Sequence, residues 1–98
     1  VDFGYLEGFT SGDRQVVDEV LALFLDQAKI WVGGLDANNP DWRDVAHTVK
    51  GSARGVGANA LGDVCAQAEA DGPDHLAAVR EALAMAVAEI EAYRARIG

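Results

Sequence analysis

The stretch His47-Thr48-Val49-Lys50-Gly51-Ser52-Ala53-Arg54-Gly55-Val56-Gly57-Ala58 divides cleanly into two faces when wound as a helix. At about 100° per residue, with His47 set at zero, Arg43, Lys50, Gly51 and Arg54 all fall within roughly 60° of it. Trp42, Val45, Ala46, Val49, Ala53 and Val56 gather on the opposite side. The pattern predicts a helix with its apolar face turned inward and its basic face turned out, with His47 at the centre of the basic face. Glycine inside a helix costs roughly 1 kcal/mol relative to alanine, so Gly51 needs a reason. It sits one turn after His47 and removes the side chain that would crowd the imidazole. Lys50 adds a mobile positive charge. An open imidazole beside a cation is suited to receiving an anionic group.

The rest of the chain supplies partners for the apolar face. Phe3, Leu6 and Phe9, at spacing three, predict a short docking helix. Thr10 or Ser11 is placed to cap the next helix, and Asp13 favours the positive end of its dipole. That helix is expected over 11–32, because Val17, Val20, Leu21, Phe24, Ala28, Trp31 and Leu35 recur at spacings of three and four. Gly33-Gly34 is expected to break it. Asp36-Ala37-Asn38-Asn39-Pro40 is a turn cluster, with Pro40 fit for the first turn of the His47 helix over 40–56. Gly57 is a plausible C-terminal glycine for that helix.

A short helix over 59–70 turns Leu61, Val64, Cys65 and Ala68 inward, and Asp71-Gly72-Pro73 ends it. The last helix is expected over 73–97, where Leu76, Leu83, Ile90 and Ile97 repeat every seven residues, interleaved with Val79, Ala86 and Tyr93. No β-type alternation occurs. The expected fold is all-α: an antiparallel four-helix bundle with a short N-terminal helix, one domain over 1–98.

Composition narrows the function. The chain has 98 residues, half of them apolar, which fits one modest core. It has no apolar run long enough for a transmembrane helix, and its N-terminus lacks the pattern of a signal peptide. The single cysteine, Cys65, suits a reducing cytoplasm and has the spacing of a core residue. Sixteen acidic residues against eight basic give a formal charge of −8, which argues against nucleic acid or an anionic membrane as partner. The exception is local. Between Trp42 and Gly57 stand three basic residues, Arg43, Lys50 and Arg54, and one acidic residue, Asp44. The expected positive patch surrounds His47.

His47-Thr48-Val49-Lys50-Gly51-Ser52-Ala53 followed by Gly57-Ala58, with Leu61, Cys65 and Glu69 downstream, resembles the phosphorylation motif of histidine-containing phosphotransfer (HPt) domains. The resemblance implies a helical bundle and a phosphoryl carrier between receiver domains of two-component phosphorelays. Phosphoryl transfer has a loose, charge-rich transition state. Its acceptor must be a neutral nitrogen with open in-line approach, and an unperturbed imidazole, with a pKa of about 6.5, is mostly neutral at cytosolic pH. His47 is the expected phosphoacceptor, Lys50 the charge stabiliser and Gly51 the clearance residue, with Arg54 adding to the field.

The family orients the ring with a polar residue on the next helix. The matching position here is Glu69, which would accept from Nδ1–H and leave Nε2 as nucleophile; Gln67 is the substitute in another register. No phosphate-binding loop, nucleotide motif or acidic metal cluster is present, so neither ATP-dependent kinase activity nor a bound cofactor is expected. The resemblance places Mg²⁺ on the partner receiver. It implies response-regulator receivers and a hybrid histidine kinase as partners. Docking is expected on the surface around His47, Lys50, Gly51 and Arg54, together with exposed apolar neighbours from the N-terminal segment near Phe9. Two other readings stand beside this one: a phosphorylation-silent adaptor that binds receivers, and a dimeric histidine-kinase-like phosphotransferase. Four helices within one chain favour a monomer over the dimer. His75, with no partner pattern, is expected to be a surface residue.

Overall fold

Asp13 starts the first long helix. Its Oδ1 accepts from the amides of Gln15 at 3.0 Å and Val16 at 3.3 Å, meeting donors that a helix start leaves without intrahelical partners. The computed structural model describes residues 1–9 and 13–97, the side chains of Phe9 and Ile97 excepted. Its helices are α1 (Phe3–Phe9), α2 (Arg14–Gly34), α3 (Trp42–Gly55), α4 (Asn59–Asp71) and α5 (Leu76–Ile97), with a 3-10 turn at Pro73–His75 before α5. The capping roles expected of Thr10 and Ser11 lie outside the described residues. With Asp13 as the cap, α2 begins at Arg14 rather than at Ser11.

Every regular element among the described residues is helical, and α2–α5 form an antiparallel four-helix bundle. Two side chains fix the direction of α5 against α2. Arg94 pairs with Asp18 at 2.7 Å near the start of α2, and Arg80 donates to the Leu35 carbonyl just past its end. The α2 stripe is buried as its spacing predicts, with Val20 half-buried at its margin. Leu76, Val79, Leu83, Ala86, Ile90 and Tyr93 line the inner face of α5; the side chain of Ile97 lies outside the described residues. Phe3 of α1 stacks on Tyr93 with ring centroids 4.0 Å apart, and Leu6 is buried beneath it. The Tyr93 hydroxyl donates to Glu7, which with partial burial pushes the phenol above its ordinary value.

Three further boundaries differ from expectation, each with a local feature beside it. α2 runs through Gly33-Gly34 instead of breaking there, and Leu35 caps it through its amide to the Trp31 carbonyl at 3.0 Å. Gly34 is where α3 comes close: a Cβ there would stand 3.0 Å from Val45 Cγ2. α3 begins at Trp42 rather than Pro40. Asn39 holds the preceding turn by accepting from the Asp41 amide at 3.1 Å and donating to the Gly34 carbonyl at 2.9 Å. α5 is preceded by a separate 3-10 turn from Pro73, so the helix proper starts at Leu76.

The turn from α3 to α4 sets the register of the site. Gly57 has φ +80, the left-handed region where glycine is favoured. The Ala58 amide reaches back to the Ala53 carbonyl at 2.8 Å and the Gly57 amide to Arg54 at 3.3 Å. This bond pair closes a helix C-terminus around a left-handed glycine. The Gly57 carbonyl then accepts from the Asp2 amide at 2.8 Å, seating the N-terminal segment on the turn. A Cβ on Gly57 would lie 2.7 Å from the Asp2 carbonyl oxygen.

Two glycines therefore respond oppositely to alanine. Gly57→Ala is expected to lose about 1–3 kcal/mol through backbone strain. Gly33→Ala, in a helix with no atom within 4 Å of the added Cβ, is expected to gain about 0.5–1 kcal/mol. Urea denaturation of the two variants measures both signs.

Candidate functional site

α3 and α4 make the most extensive contact of any helix pair, and their antiparallel register brings Glu69 on α4 opposite His47 on α3. Ala46, Val49 and Ala53 face inward from α3, and Leu61, Cys65 and Ala68 from α4. These side chains are mostly small, so the two backbones approach closely. Glu69 sits at the rim of that interface with its side chain 20% exposed, whereas the His47 side chain is 70% exposed. The imidazole stands in solvent while the group beneath it is held.

Glu69 Oε2 lies 3.2 Å from His47 Nδ1. A carboxylate can only accept, so the contact favours a proton on Nδ1 and leaves Nε2 with its lone pair free. Oε1, out of solvent, meets the Lys50 ammonium at 2.9 Å. Burial acts to raise the Glu69 carboxyl, but contact with Lys50 and then His47 outweighs it, and the carboxyl titrates below its ordinary value of 4.5. Arg43 donates from Nε to the Glu69 backbone carbonyl at 3.2 Å, with its guanidinium carbon 4.7 Å from the centre of the Trp42 ring.

The expected site residues thus divide. His47, Lys50 and Glu69 are brought together. Gln67 is exposed, and its side chain makes no hydrogen bond to His47 among the described residues. Lys50 is not the mobile charge expected from sequence: its side chain is 19% exposed and tied to Glu69. Gly51 is exposed, and a Cβ there would meet nothing within 4 Å, so no helix packing within the chain requires the glycine. Arg54 lies along α4, where a Cβ on Gly62 would stand 3.0 Å from its Cγ, and its guanidinium reaches Asp63 at 4.0 Å.

Cys65 is buried, and burial first, then the nearby Glu69 charge, pushes its thiol up to about 11. Among the described residues no three His, Cys, Asp or Glu side chains gather as metal ligands. His75 is half-buried, 3.6 Å from Asp71 one turn earlier.

Two features were not anticipated. Arg43 was read only as part of the basic face, and its bond to α4 depends on helix register that a single sequence does not carry. The second is a groove of about 270 Å³ between α2 and α3, lined by Val20, Leu23, Phe24, Trp31, Ser52 and Gly55. Its α3 side is formed by Ser52 and Gly55, with Gly55 about two helical turns after His47. Leu23 is 61% exposed, and Val16 and Ile30, seven residues to either side, are exposed with it. The signal was present in sequence as apolar residues of α2 lying off the buried stripe. The apolar contribution expected from Phe9 lies outside the described residues.

This arrangement is accompanied by a family match. The Hpt domain family matches residues 19–93, and the chain belongs to it. Among solved structures, the chain is similar to the crystal structure of histidine phosphotransferase ShpA from Caulobacter crescentus. The TM-score is 0.89 at 53% identity, over 98% of this chain and 91% of that one. No curated protein matches the sequence. Among the described residues no helix is long and apolar enough to cross a membrane.

The lowered Glu69 carboxyl has a consequence for stability. A depressed folded value stabilises the fold fully above the ordinary 4.5 and loses that contribution as pH falls through the lowered value. Urea midpoints measured from pH 7 down to pH 3 should therefore fall more steeply for the wild type than for Glu69→Gln, which has no carboxyl to protonate at this position.

Proposed function

We propose that this chain is a phosphocarrier in which His47 Nε2 takes a phosphoryl group from the aspartyl phosphate of a receiver domain and yields it to another receiver. The observation that carries the reading is the His47–Glu69 contact at 3.2 Å beneath a ring that is 70% exposed, in a chain of the Hpt family. The Nε2 lone pair attacks phosphorus as the P–O bond to the aspartate breaks. The leaving carboxylate keeps that bond's electrons, and Nδ1 keeps its proton, donated in a hydrogen bond to Glu69. No general base is needed, because the attacking nitrogen carries no proton in this tautomer. The same path run backwards passes the group on.

The surroundings support the approach of a second protein. Gly51 and Gly55 leave the α3 surface open over the two turns after His47, and the groove at Leu23 adds apolar area from Gly55 onward. Lys50 offsets the Glu69 charge in the resting site and is the nearest cation for an arriving phosphoryl group. In this scheme Mg²⁺ sits on the receiver and ATP is used by a hybrid histidine kinase upstream, as the family resemblance implies, and this chain is proposed to bind neither. The chain acts as one domain over 1–98, a cytoplasmic monomer without kinase activity of its own.

Three substitutions test the roles. His47→Gln should fold normally and take no label from a phosphorylated receiver; undiminished labelling contradicts the assignment. Gly51→Leu should keep or raise helicity, since leucine is the better helix former, yet slow transfer strongly. Lys50→Ala should slow single-turnover transfer by on the order of tenfold, less than the ~10²–10³-fold lost per donor in a closed, preorganised site. It should also change the decay rate of the isolated phosphoprotein. Unchanged values for both would make Lys50 a structural ion-pair partner only.

A further inference from the structure

The grip on Glu69 extends beyond its carboxylate. A helical carbonyl normally accepts from the amide four residues on, and Ala68 does so from Gly72 at 2.9 Å. The next carbonyl in line is that of Glu69, and the residue four on is Pro73, which has no N–H. The end of α4 therefore leaves this carbonyl without its helical donor. Arg43 Nε supplies one from α3 at 3.2 Å. The guanidinium is planar and lies over the half-buried Trp42 ring at 4.7 Å, which orients its donor edge. Three residues of one α3 face thus meet one glutamate: Arg43 at its backbone, His47 at Oε2 and Lys50 at Oε1.

We propose that Arg43 is a positioning residue for His47 and acts through Glu69, holding the end of α4 where the Glu69 carboxylate fixes the Nδ1–H tautomer and frees Nε2. The inference rests on His47 being the phosphoacceptor. The Nδ1–Oε2 distance of 3.2 Å is already at the long end of the hydrogen-bond range, so a shift of a few tenths of an ångström at the end of α4 loosens it. Proline and arginine act as one device here: Pro73 vacates the carbonyl and Arg43 uses it to tie α4 to the helix that carries the reactive ring.

The test is ¹⁵N NMR of the His47 imidazole in unphosphorylated protein, which reads the tautomer without any receiver. In Arg43→Ala the population should move from Nδ1–H toward Nε2–H. Single-turnover transfer should fall roughly tenfold, short of the ~10²-fold that a 1 Å misplacement can bring. Arg43→Lys keeps the charge and a donor but lacks the planar stack, and should lie between wild type and Arg43→Ala. Arg54→Ala removes the same charge from the same helix without touching Glu69, and should leave the tautomer as in wild type. A wild-type tautomer ratio in folded Arg43→Ala overturns the proposal and leaves Arg43 as a cap on α4. An equal shift in Arg54→Ala also overturns it, because general loss of charge would then be the cause. Failure of wild-type protein to take label from any phosphorylated receiver would instead strike the functional reading, whatever the tautomer result.

Discussion

One half-buried carboxylate between two helices governs the site. Glu69 meets Lys50 with one oxygen and His47 with the other, so its position bears on both the favoured tautomer of the ring and where the Lys50 ammonium sits. Neither contact lies within one helix. Both depend on the register between α3 and α4, which the left-handed Gly57 turn fixes and the small buried side chains of the two helices keep close. The long helices α2 and α5 supply the rest of the core against which this hairpin rests. α1, stacked on Tyr93 and seated on the Gly57 turn through Asp2, closes that end of the bundle.

The charge distribution follows the same division. The chain carries a formal charge of −8, and its positive side chains on α3 are all engaged with α4 or its termini in the resting protein: Arg43 with a carbonyl, Lys50 with Glu69, Arg54 against Gly62 and Asp63. The basic face is therefore anchored rather than diffuse. The exposed Arg54–Asp63 contact adds little to stability, so its value lies in where it holds the side chain. In the proposed transfer, Lys50 is drawn partly away from Glu69 toward the phosphoryl group.

Much of this was legible in the sequence because it depends on helical period and turn chemistry. The buried stripe of α2 and the seam of α5 follow from apolar spacing, and Gly57 and Gly72-Pro73 end their helices as expected. The bundle followed from four such amphipathic segments joined by short turns. His47, Lys50 and Gly51 were readable as one exposed face, and Glu69 as its counterpart came from family resemblance rather than from periodicity. Boundaries were less readable. Asp13 caps α2 where Thr10 or Ser11 was expected to, and Gly33-Gly34 stays helical, with Val45 close to the open side of Gly34. The ties between helices were not readable at all. Whether Lys50 is free or paired, and where Arg43 donates, depends on distances between α3 and α4 that no local pattern encodes.

The central claim is that Glu69 leaves Nε2 of His47 as the phosphorylated atom. The direct measurement is combined ³¹P and ¹⁵N NMR of protein carrying ¹⁵N-labelled histidine, after phosphorylation by a receiver. The account predicts phosphorus bonded to Nε2 of His47, with Nδ1 still carrying the proton shared with Glu69. Phosphorus on Nδ1, or on any other residue, would contradict it.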